Sequence, residues 1–148
     1  CSDSRVSPEI LFGRGLGELF IVRVAGNTVD NIALGSIEYA VAELGVPLIL
    51  VLGHEKCGAV QAAVDIVTKN AVYPGAISDM VEPIVPAVLK ARTQSGDLLD
   101  NSVRENVKRV VSRLKSSQAL LAAPIKSGKL KVVGARYDLD DGKVEFIV

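Results

Sequence analysis

VPLILVLGHEKC, residues 46–57, is the stretch of sequence that decides the fold of this chain. Residues 46–52 form a continuous apolar run, which is typical of a strand buried in a parallel sheet. Gly53 ends this run, and His54 and Cys57 follow at once. Because open α/β sheets bind their ligands at the carboxyl ends of strands, this order predicts a site at His54 and Cys57.

A helix and another strand are predicted before this stretch. Residues 19–24, LFIVRV, are apolar and rich in β-branched side chains, so they predict a strand. Between the two strands, four apolar residues recur at helical spacing, and Gly45 follows as a stop signal. These four are Leu34, Ile37, Val41 and Leu44. The order strand, helix, strand predicts a βαβ unit with a right-handed crossover.

Helices and a C-terminal hairpin are predicted after it. Helical segments are expected at residues 59–67, 79–92 and 103–114. Residues 129–137 and 143–148 predict two strands joined by the turn Asp140-Asp141-Gly142. The predicted class is α/β, with a mostly parallel central sheet flanked by helices and a C-terminal antiparallel hairpin edge. Residues 1–148 are expected to form a single domain.

Composition excludes several classes of partner. The 148 residues carry 17 basic and 17 acidic side chains, so net charge does not favour nucleic acid or an anionic membrane surface. Aromatic residues make up 4% of the chain, too few to suggest a base-stacking surface. No apolar run reaches the roughly 18 residues of a membrane span. Nucleic acid and membranes are therefore not expected partners.

The glycines of Gly13-Arg-Gly-Leu-Gly17 resemble part of a dinucleotide-binding loop. The GxGxxG pattern requires a glycine at position 18, where Glu18 stands, and a helix next, where a strand is predicted. We therefore interpret these glycines as shaping a turn.

The only two cysteines and the only histidine of the chain lie in two short motifs. Cys1 begins Cys-Ser-Asp-Ser-Arg, and His54 lies three residues before Cys57. Two thiolates and one imidazole are a ligand set of open catalytic zinc sites, which keep the fourth position for water. The alternatives are a disulfide between the cysteines, a hydrogen-bonded structural His54 and a buried apolar Cys57.

Asp3 and Arg5 add charged groups beside the first candidate ligand. A free carboxylate would oppose the formation of hydroxide on zinc, and pairing with Arg5 compensates its charge. Asp3 held by Arg5 could accept a proton from zinc-bound hydroxide, whereas a released Asp3 could become a fourth ligand in a closed state. The alternative is that Asp3 caps a helix and Arg5 forms a surface salt bridge.

The sequence resembles the β-class carbonic anhydrases over essentially its whole length. The matching motifs are CSDSRV at 1–6, ELFIVRVAGN at 18–27, GSIEYAV at 35–41 and VLGHEKCGAV at 51–60, with KLKVVGARYDLDDGKVEF at 129–146 resembling the closing hairpin. The resemblance implies that one Zn²⁺ is bound by Cys1, His54 and Cys57. It also implies that Asp3 and Arg5 form a catalytic dyad.

The resemblance implies a substrate pocket and an assembly as well. Phe20, Ala25 and Tyr39 would line the CO₂ pocket near a subunit interface, and the backbone N–H of Gly58 would bind a substrate or product oxygen. The implied assembly is a homodimer or an assembly of dimers. The Leu34–Leu44 stripe is compatible with such an interface and equally with a core face.

The implied reaction is the reversible hydration of carbon dioxide to bicarbonate and a proton, by attack of zinc-bound hydroxide assisted by Asp3 and Arg5. One alternative keeps the site and changes the substrate to carbonyl sulfide or carbon disulfide. Another is a zinc-stabilised or redox-sensing binding module, in which Cys1 and Cys57 are structural or oxidisable thiolates.

The chain also departs from the family pattern. Family members usually have helices and a strand before the first ligand, so we expect that the N-terminal part of a longer protein precedes Cys1. Arg14 stands where the family commonly has glutamine, which removes the expected pocket role of that position. The compartment stays open, with the cytoplasm favoured over the periplasm or an organelle.

Overall fold

The computed structural model of the chain describes residues 1–116 and 120–148. Its α-helices are α1 (Pro8–Phe12), α2 (Asn31–Ala42), α3 (Gly58–Lys69), α4 (Ala76–Val81), α5 (Val85–Ala91), α6 (Leu98–Ser116) and α7 (Ala122–Lys126). Its strands are β1 (Leu48–His54), β2 (Lys131–Tyr137) and β3 (Val144–Phe146). Two 3₁₀ turns cover Ala25–Asn27 and Glu82–Ile84. Within the described ranges, no helix combines the length and the apolar character that crossing a bilayer requires.

The sheet has the order β1-β2-β3 and confirms the predicted α/β class. β1 and β2 are parallel, with a register that runs from Leu48 opposite Lys131 to His54 opposite Tyr137. β3 is antiparallel to β2, as the predicted C-terminal hairpin requires. The sheet is therefore mixed, and its parallel part is the pair whose carboxyl ends carry His54 and Tyr137.

Strand β1 lies two residues later than the predicted segment 46–52. Pro47 has no N–H for the ladder, but its carbonyl accepts a hydrogen bond from Lys131 N–H at 2.9 Å. At the other end, pairing with β2 continues through Gly53 to His54. The predicted ligand His54 is thus the last residue of a strand.

The predicted strand at residues 19–24 is wrong. This segment is not in the sheet, and a groove of about 640 Å³ separates it from β1. Phe20 and Val22 line the groove and are exposed. Because the described chain places no strand beside it, the segment lacks the partner that a ladder needs. The predicted βαβ unit is therefore absent, and the parallel pair is instead β1 with β2.

Helix α2 confirms the prediction made from the spacing of its apolar residues. Asp30 caps it by accepting a hydrogen bond from Ala33 N–H at 2.7 Å. The chain leaves the helix before Gly45, whose φ of 68° is in the left-handed region. Three members of the stripe, Leu34, Ile37 and Val41, pack against the core, whereas the fourth, Leu44, is exposed.

The predicted helix at 79–92 is interrupted. The structure divides it into α4 and α5, with a 3₁₀ turn that contains Pro83 between them. Pro83 and Pro86 lack the N–H groups that a continuous α-helix would use, which accounts for the break. The other predicted helices are confirmed as α3 and α6.

Helix α6 packs across both parallel strands, β1 and β2. Its predicted stripe, Val103, Val107, Val110 and Leu114, is buried. Val107 lies directly over Gly53 and Gly134: a Cβ added at either glycine would be 2.6 Å from a methyl group of Val107. The two glycines therefore allow the helix to approach the sheet beside the end of β1.

Candidate metal centre

The structure brings Cys1, His54 and Cys57 together. One ligand atom from each residue lies within 4.8 Å of those from the other two. His54 ends β1, and Cys57 is the N-cap residue of α3. A strand end, a helix start and a loop far away in sequence thus meet at one point.

The two sulfur atoms have a separation that suits zinc. Cys1 Sγ and Cys57 Sγ are 3.9 Å apart, and both cysteines are free. Two sulfurs at about 2.3 Å from a tetrahedral zinc ion would lie about 3.8 Å apart. A disulfide requires about 2.05 Å, so the alternative of a disulfide does not hold in this structure.

His54 offers a free nitrogen to the same point. Its side chain is fully buried, and Nδ1 lies 2.7 Å from the carbonyl oxygen of Glu55. A carbonyl only accepts, so Nδ1 carries the hydrogen and Nε2 keeps a lone pair. In the described part of the chain, Nε2 has no hydrogen-bond partner. Burial lowers the pKa of the imidazole, which favours the neutral form that binds metals. The donor set therefore fits a zinc ion.

Three residues that the sequence did not single out position Cys1. Gly26 N–H donates to Cys1 Sγ at 3.3 Å, and Arg23 donates to the carbonyl oxygens of Cys1 and Asp3 at 2.9 and 2.7 Å. Asn106 Nδ2 donates to the carbonyl of Gly26 at 2.8 Å and so holds the turn from α6.

Gly26 has to be glycine at this place. Its φ is 71°, and an added Cβ would lie 2.6 Å from Cδ1 of Ile84 and 3.1 Å from Cβ of Ala59. The glycine near the end of the motif ELFIVRVAGN, residues 18–27, is the sequence signal that could have indicated this role.

Asp3 and Arg5 form a two-pronged ion pair. Arg5 Nη2 lies 2.6 Å from Oδ2 of Asp3, and Arg5 Nε lies 3.0 Å from Oδ1. The backbone N–H of Arg5 also donates to Oδ1 at 2.9 Å. The side-chain hydrogen bonds from Arg5 hold the pKa of Asp3 well below its usual range. The N-cap of α1 is Ser7, so Asp3 is not a helix cap.

The carboxylate of Asp3 is directed to Arg5 and is not one of the three clustered ligand atoms. This is the Asp3–Arg5 pairing that the sequence analysis connects with an open fourth position.

The expected pocket residues are only partly assembled. The rings of Phe20 and Tyr39 are 6.4 Å apart between centroids, with 45% and 54% of each residue exposed. Ala25 begins the 3₁₀ turn that packs against α3, and Gly58 is the first residue of α3. Because the aromatic pair is open to solvent, a single chain does not enclose the pocket.

Comparison with known proteins gives a consistent result. The family profile described as carbonic anhydrase matches residues 1–144. A carbonic anhydrase of Mycolicibacterium smegmatis is 43% identical over 145 residues, which cover 98% of this chain and 70% of that protein. A β-carbonic anhydrase of Coccomyxa, solved in complex with acetazolamide, has a TM-score of 0.83 at 30% identity and covers 99% of this chain and 68% of that one.

A tetrameric β-carbonic anhydrase of Sordaria macrospora matches with a TM-score of 0.88 at 24% identity, over 99% of this chain and 77% of that one. At this low identity, the match shows a similar fold. The family match over residues 1–144 and the 43% identity over nearly the whole chain carry the assignment further than fold. The chain therefore belongs to the β-class carbonic anhydrases, a family of enzymes.

Proposed function

We propose that this chain binds one zinc ion through Cys1, His54 and Cys57 and catalyses the reversible hydration of carbon dioxide. The observation that carries the proposal is the buried Nε2 of His54, which has no partner among the described residues and lies beside two free sulfurs 3.9 Å apart. This atom would be costly to bury without a ligand.

The zinc ion would supply a bound water whose pKa is lowered to about 7, and a Lewis acid for the substrate oxygen. Cys1 and Cys57 as thiolates balance the two positive charges, and neutral His54 adds none. Three protein ligands keep one position open to solvent.

The dyad keeps that position free and adds a fixed hydrogen-bond acceptor. The contacts with Arg5 leave Asp3 ionised near neutral pH and pull its carboxylate away from the ligand cluster. A carboxylate oxygen fixed in this way would accept a hydrogen bond from a water or hydroxide at the open position and so orient the lone pairs of that group towards carbon dioxide.

We also propose that the chain self-associates through the surface around Phe20 and Tyr39. Leu48, a further exposed apolar residue, lines the same groove as Phe20, and exposed apolar surface of this kind is typical of a contact between subunits. The Sordaria macrospora relative is described as tetrameric. Sedimentation velocity should show a dimer or an assembly of dimers, and a Tyr39→Asp variant should shift it towards the monomer. A wild-type monomer at every concentration would contradict the proposal.

The zinc proposal is tested by metal content and by stopped-flow hydration of carbon dioxide. We expect one zinc per wild-type chain, and loss of both zinc and activity in His54→Ala and in Cys57→Ala. Lys69→Ala, which removes an exposed ion pair with Asp65, is the control and should retain both. Retention of stoichiometric zinc by His54→Ala would overturn the ligand assignment. Carbonyl sulfide and carbon disulfide remain alternative substrates, and side-by-side hydrolysis assays separate them.

A further inference from the structure

The two residues between the ligands His54 and Cys57 are held by the hairpin turn at residues 138–141. Glu55 N–H donates to the carbonyl of Tyr137 at 2.9 Å, which continues the β1–β2 ladder by one bond. The carboxylate of Glu55 accepts the N–H of Leu139 at 3.2 Å. Glu55 is thus tied to the hairpin through both its backbone and its side chain.

Glu55 is also the residue that binds the imidazole. Its carbonyl oxygen lies 2.7 Å from Nδ1 of His54, the contact that leaves Nε2 as the free nitrogen. A carbonyl held in place by two contacts on the hairpin fixes both the tautomer and the ring orientation of His54. One residue therefore links a ligand to a distant part of the chain.

Lys56 makes a second connection to the same turn. Its Nζ lies 3.0 Å from Oδ2 of Asp140 and 3.2 Å from Oε1 of Glu55. The backbone of Lys56 has a φ of 53°, in the left-handed region that an L-residue adopts only at an energetic cost. This conformation reverses the chain between His54 and Cys57, and the contacts of Lys56 and Glu55 offset its cost.

The hairpin turn is itself anchored. Asp138 accepts the N–H groups of Asp140 and Asp141 at 2.9 and 3.2 Å, and Arg136 donates to Asp138 at 2.9 Å. Arg136 also pairs with Asp100 on α6. The turn is therefore fixed to helix α6, which packs on the sheet, and it supports the loop formed by Glu55 and Lys56.

The same contacts explain a cluster of acidic residues next to the centre. Carboxylate oxygens of Glu55, Asp138 and Asp140 lie within 4.8 Å of one another. Lys56, Arg136 and three backbone N–H groups already occupy these oxygens. The three carboxylates therefore stabilise the turn and the loop through these contacts.

We propose that Glu55 is a positioning residue of the metal centre, which holds His54 in the metal-binding tautomer by clamping onto the hairpin turn at 138–141, with Lys56 and Asp140 as the weaker second clamp. This inference rests on the zinc site proposed above. Its tests therefore include one that needs no metal.

The metal-free test uses the fact that His54 is the only histidine of the chain. In the untagged apoprotein, ¹⁵N-histidine NMR reports a single imidazole without further assignment. We expect Nδ1 to be the protonated nitrogen in the wild-type chain and the two tautomers to be mixed in Glu55→Ala. A wild-type tautomer in Glu55→Ala would overturn the proposal.

The second test measures zinc affinity by competition with a chromogenic chelator. Glu55→Ala keeps the carbonyl that contacts His54 and loses the side-chain contact with Leu139, so we expect it to bind zinc about tenfold more weakly, the lower end of the range found for changes to the outer partners of a ligand. Glu55→Gln should stay within about threefold of wild type, because its amide oxygen still accepts the N–H of Leu139. Asp65→Ala is the matched control: Asp65 is 23% exposed and ion-paired like Glu55, which is 18% exposed, but it lies on α3 away from the hairpin.

The second clamp is tested by substituting its two exposed residues, because such changes should not prevent folding. Lys56→Met and Asp140→Asn should each weaken zinc binding by about two- to fivefold at low salt, as for an exposed ion pair. The effect should vanish near 1 M salt, where the Debye length is about 3 Å.

The outcomes separate the two proposals. A wild-type chain that binds no zinc contradicts the zinc site, while the tautomer test on the apoprotein still decides the role of Glu55. A chain that binds zinc with equal affinity in wild type, Glu55→Ala and Asp140→Asn keeps the zinc site and overturns the positioning role. Equal weakening in Asp65→Ala would assign the effect to general destabilisation and would also overturn it.

Discussion

Asp3 and Arg5 make a close ion pair at a place where it adds little to stability. Arg5 is more than half exposed, and exposed pairs contribute at most about 1 kcal/mol to folding. Arg5 nevertheless donates four hydrogen bonds to one carboxylate that lies two residues from a candidate ligand. Its geometry is therefore better explained by the chemistry of the site than by stability.

Asp3→Asn tests this role. The amide has nearly the same shape but carries no charge, and its NH₂ group cannot accept one of the two hydrogen bonds from the Arg5 side chain, so zinc content should be unchanged while the CO₂ hydration rate falls about 100-fold or more. Atomic absorption and stopped-flow assays measure the two quantities. Asp65→Asn, a carboxylate on α3 paired with Lys69, is the control and should keep full activity. Full activity in Asp3→Asn would remove Asp3 from the mechanism.

The candidate ligands were predictable because they are rare residue types. One histidine and two cysteines in 148 residues leave few ligand sets to consider. The contributions of Arg23 and Asn106 were not predictable, because their side chains act on backbone carbonyls that every residue type carries. Only the folded chain shows which backbone group faces a ligand.

At the scale of elements, the close packing of α6 on the sheet depends on two glycines. Gly134→Ala would place a methyl group 2.6 Å from Val107 and 3.0 Å from Val111 and Val148, so we expect a loss of about 1–3 kcal/mol in the free energy of unfolding. Urea denaturation measures this loss. Gly15→Ala, which meets an ordinary contact at 3.5 Å, should change stability by less than about 0.5 kcal/mol.

The same clash predicts a coupling with Val107. In the double variant Gly134→Ala/Val107→Ala, the smaller side chain makes room for the new methyl group. The total destabilisation should therefore be less than the sum of the two single variants. Simple additivity would mean that the helix moves away as a unit and that Val107 does not set its distance from the sheet.

Glu105 connects α5 to α6 through a buried carboxylate. It is 2% exposed and lies 2.7 and 2.8 Å from the amines of Lys90 and Lys108, with a hydrogen bond from Gln94 at 3.0 Å. Burial alone would raise the pKa of Glu105, but the hydrogen bonds from Lys108, Lys90 and Gln94 outweigh it and lower the pKa to about 2. The folded chain therefore favours the ionised form more than the unfolded chain does.

This difference predicts a pH dependence of stability. The contribution of Glu105 is complete above its unfolded pKa of 4.5 and is lost as the pH falls towards about 2. Glu105→Gln should therefore cost about 2 kcal/mol at neutral pH, and the difference from wild type should shrink below pH 4.5. Denaturation at several pH values measures it, with exposed Glu43→Gln as the control. A constant difference across this range would contradict the assignment.

The failed strand at residues 19–24 shows what a local pattern leaves out. Its apolar and β-branched side chains resemble those of β1, and the pattern describes both segments equally well. A strand, however, requires a neighbour in the ladder, and that neighbour is a property of the fold. The helices were more predictable because their hydrogen bonds are internal, and the interruption at Pro83 followed from a residue that removes such a bond.

For the molecule as a whole, the candidate metal centre lies at the junction of three parts of the chain. β1 and the start of α3 provide His54 and Cys57, the N-terminal loop provides Cys1, and the C-terminal hairpin braces the loop between the ligands. The sequence predicted the members of this centre and the hairpin separately. Their meeting depends on the parallel pairing of β1 with β2, which brings Tyr137 opposite His54.

The histidine content of these 148 residues also bears on how a proton reaches solvent. Hydration of carbon dioxide releases one proton per turnover, and the only histidine is the proposed ligand His54, buried and hydrogen-bonded at Nδ1. No second imidazole titrates near neutral pH to carry the proton outwards. We therefore expect kcat at saturating CO₂ to rise with the concentration of external buffer at constant ionic strength. The ratio kcat/KM for CO₂ should not change, because it reports the steps before proton release. A kcat that is independent of buffer concentration would mean that this chain moves the proton by another group.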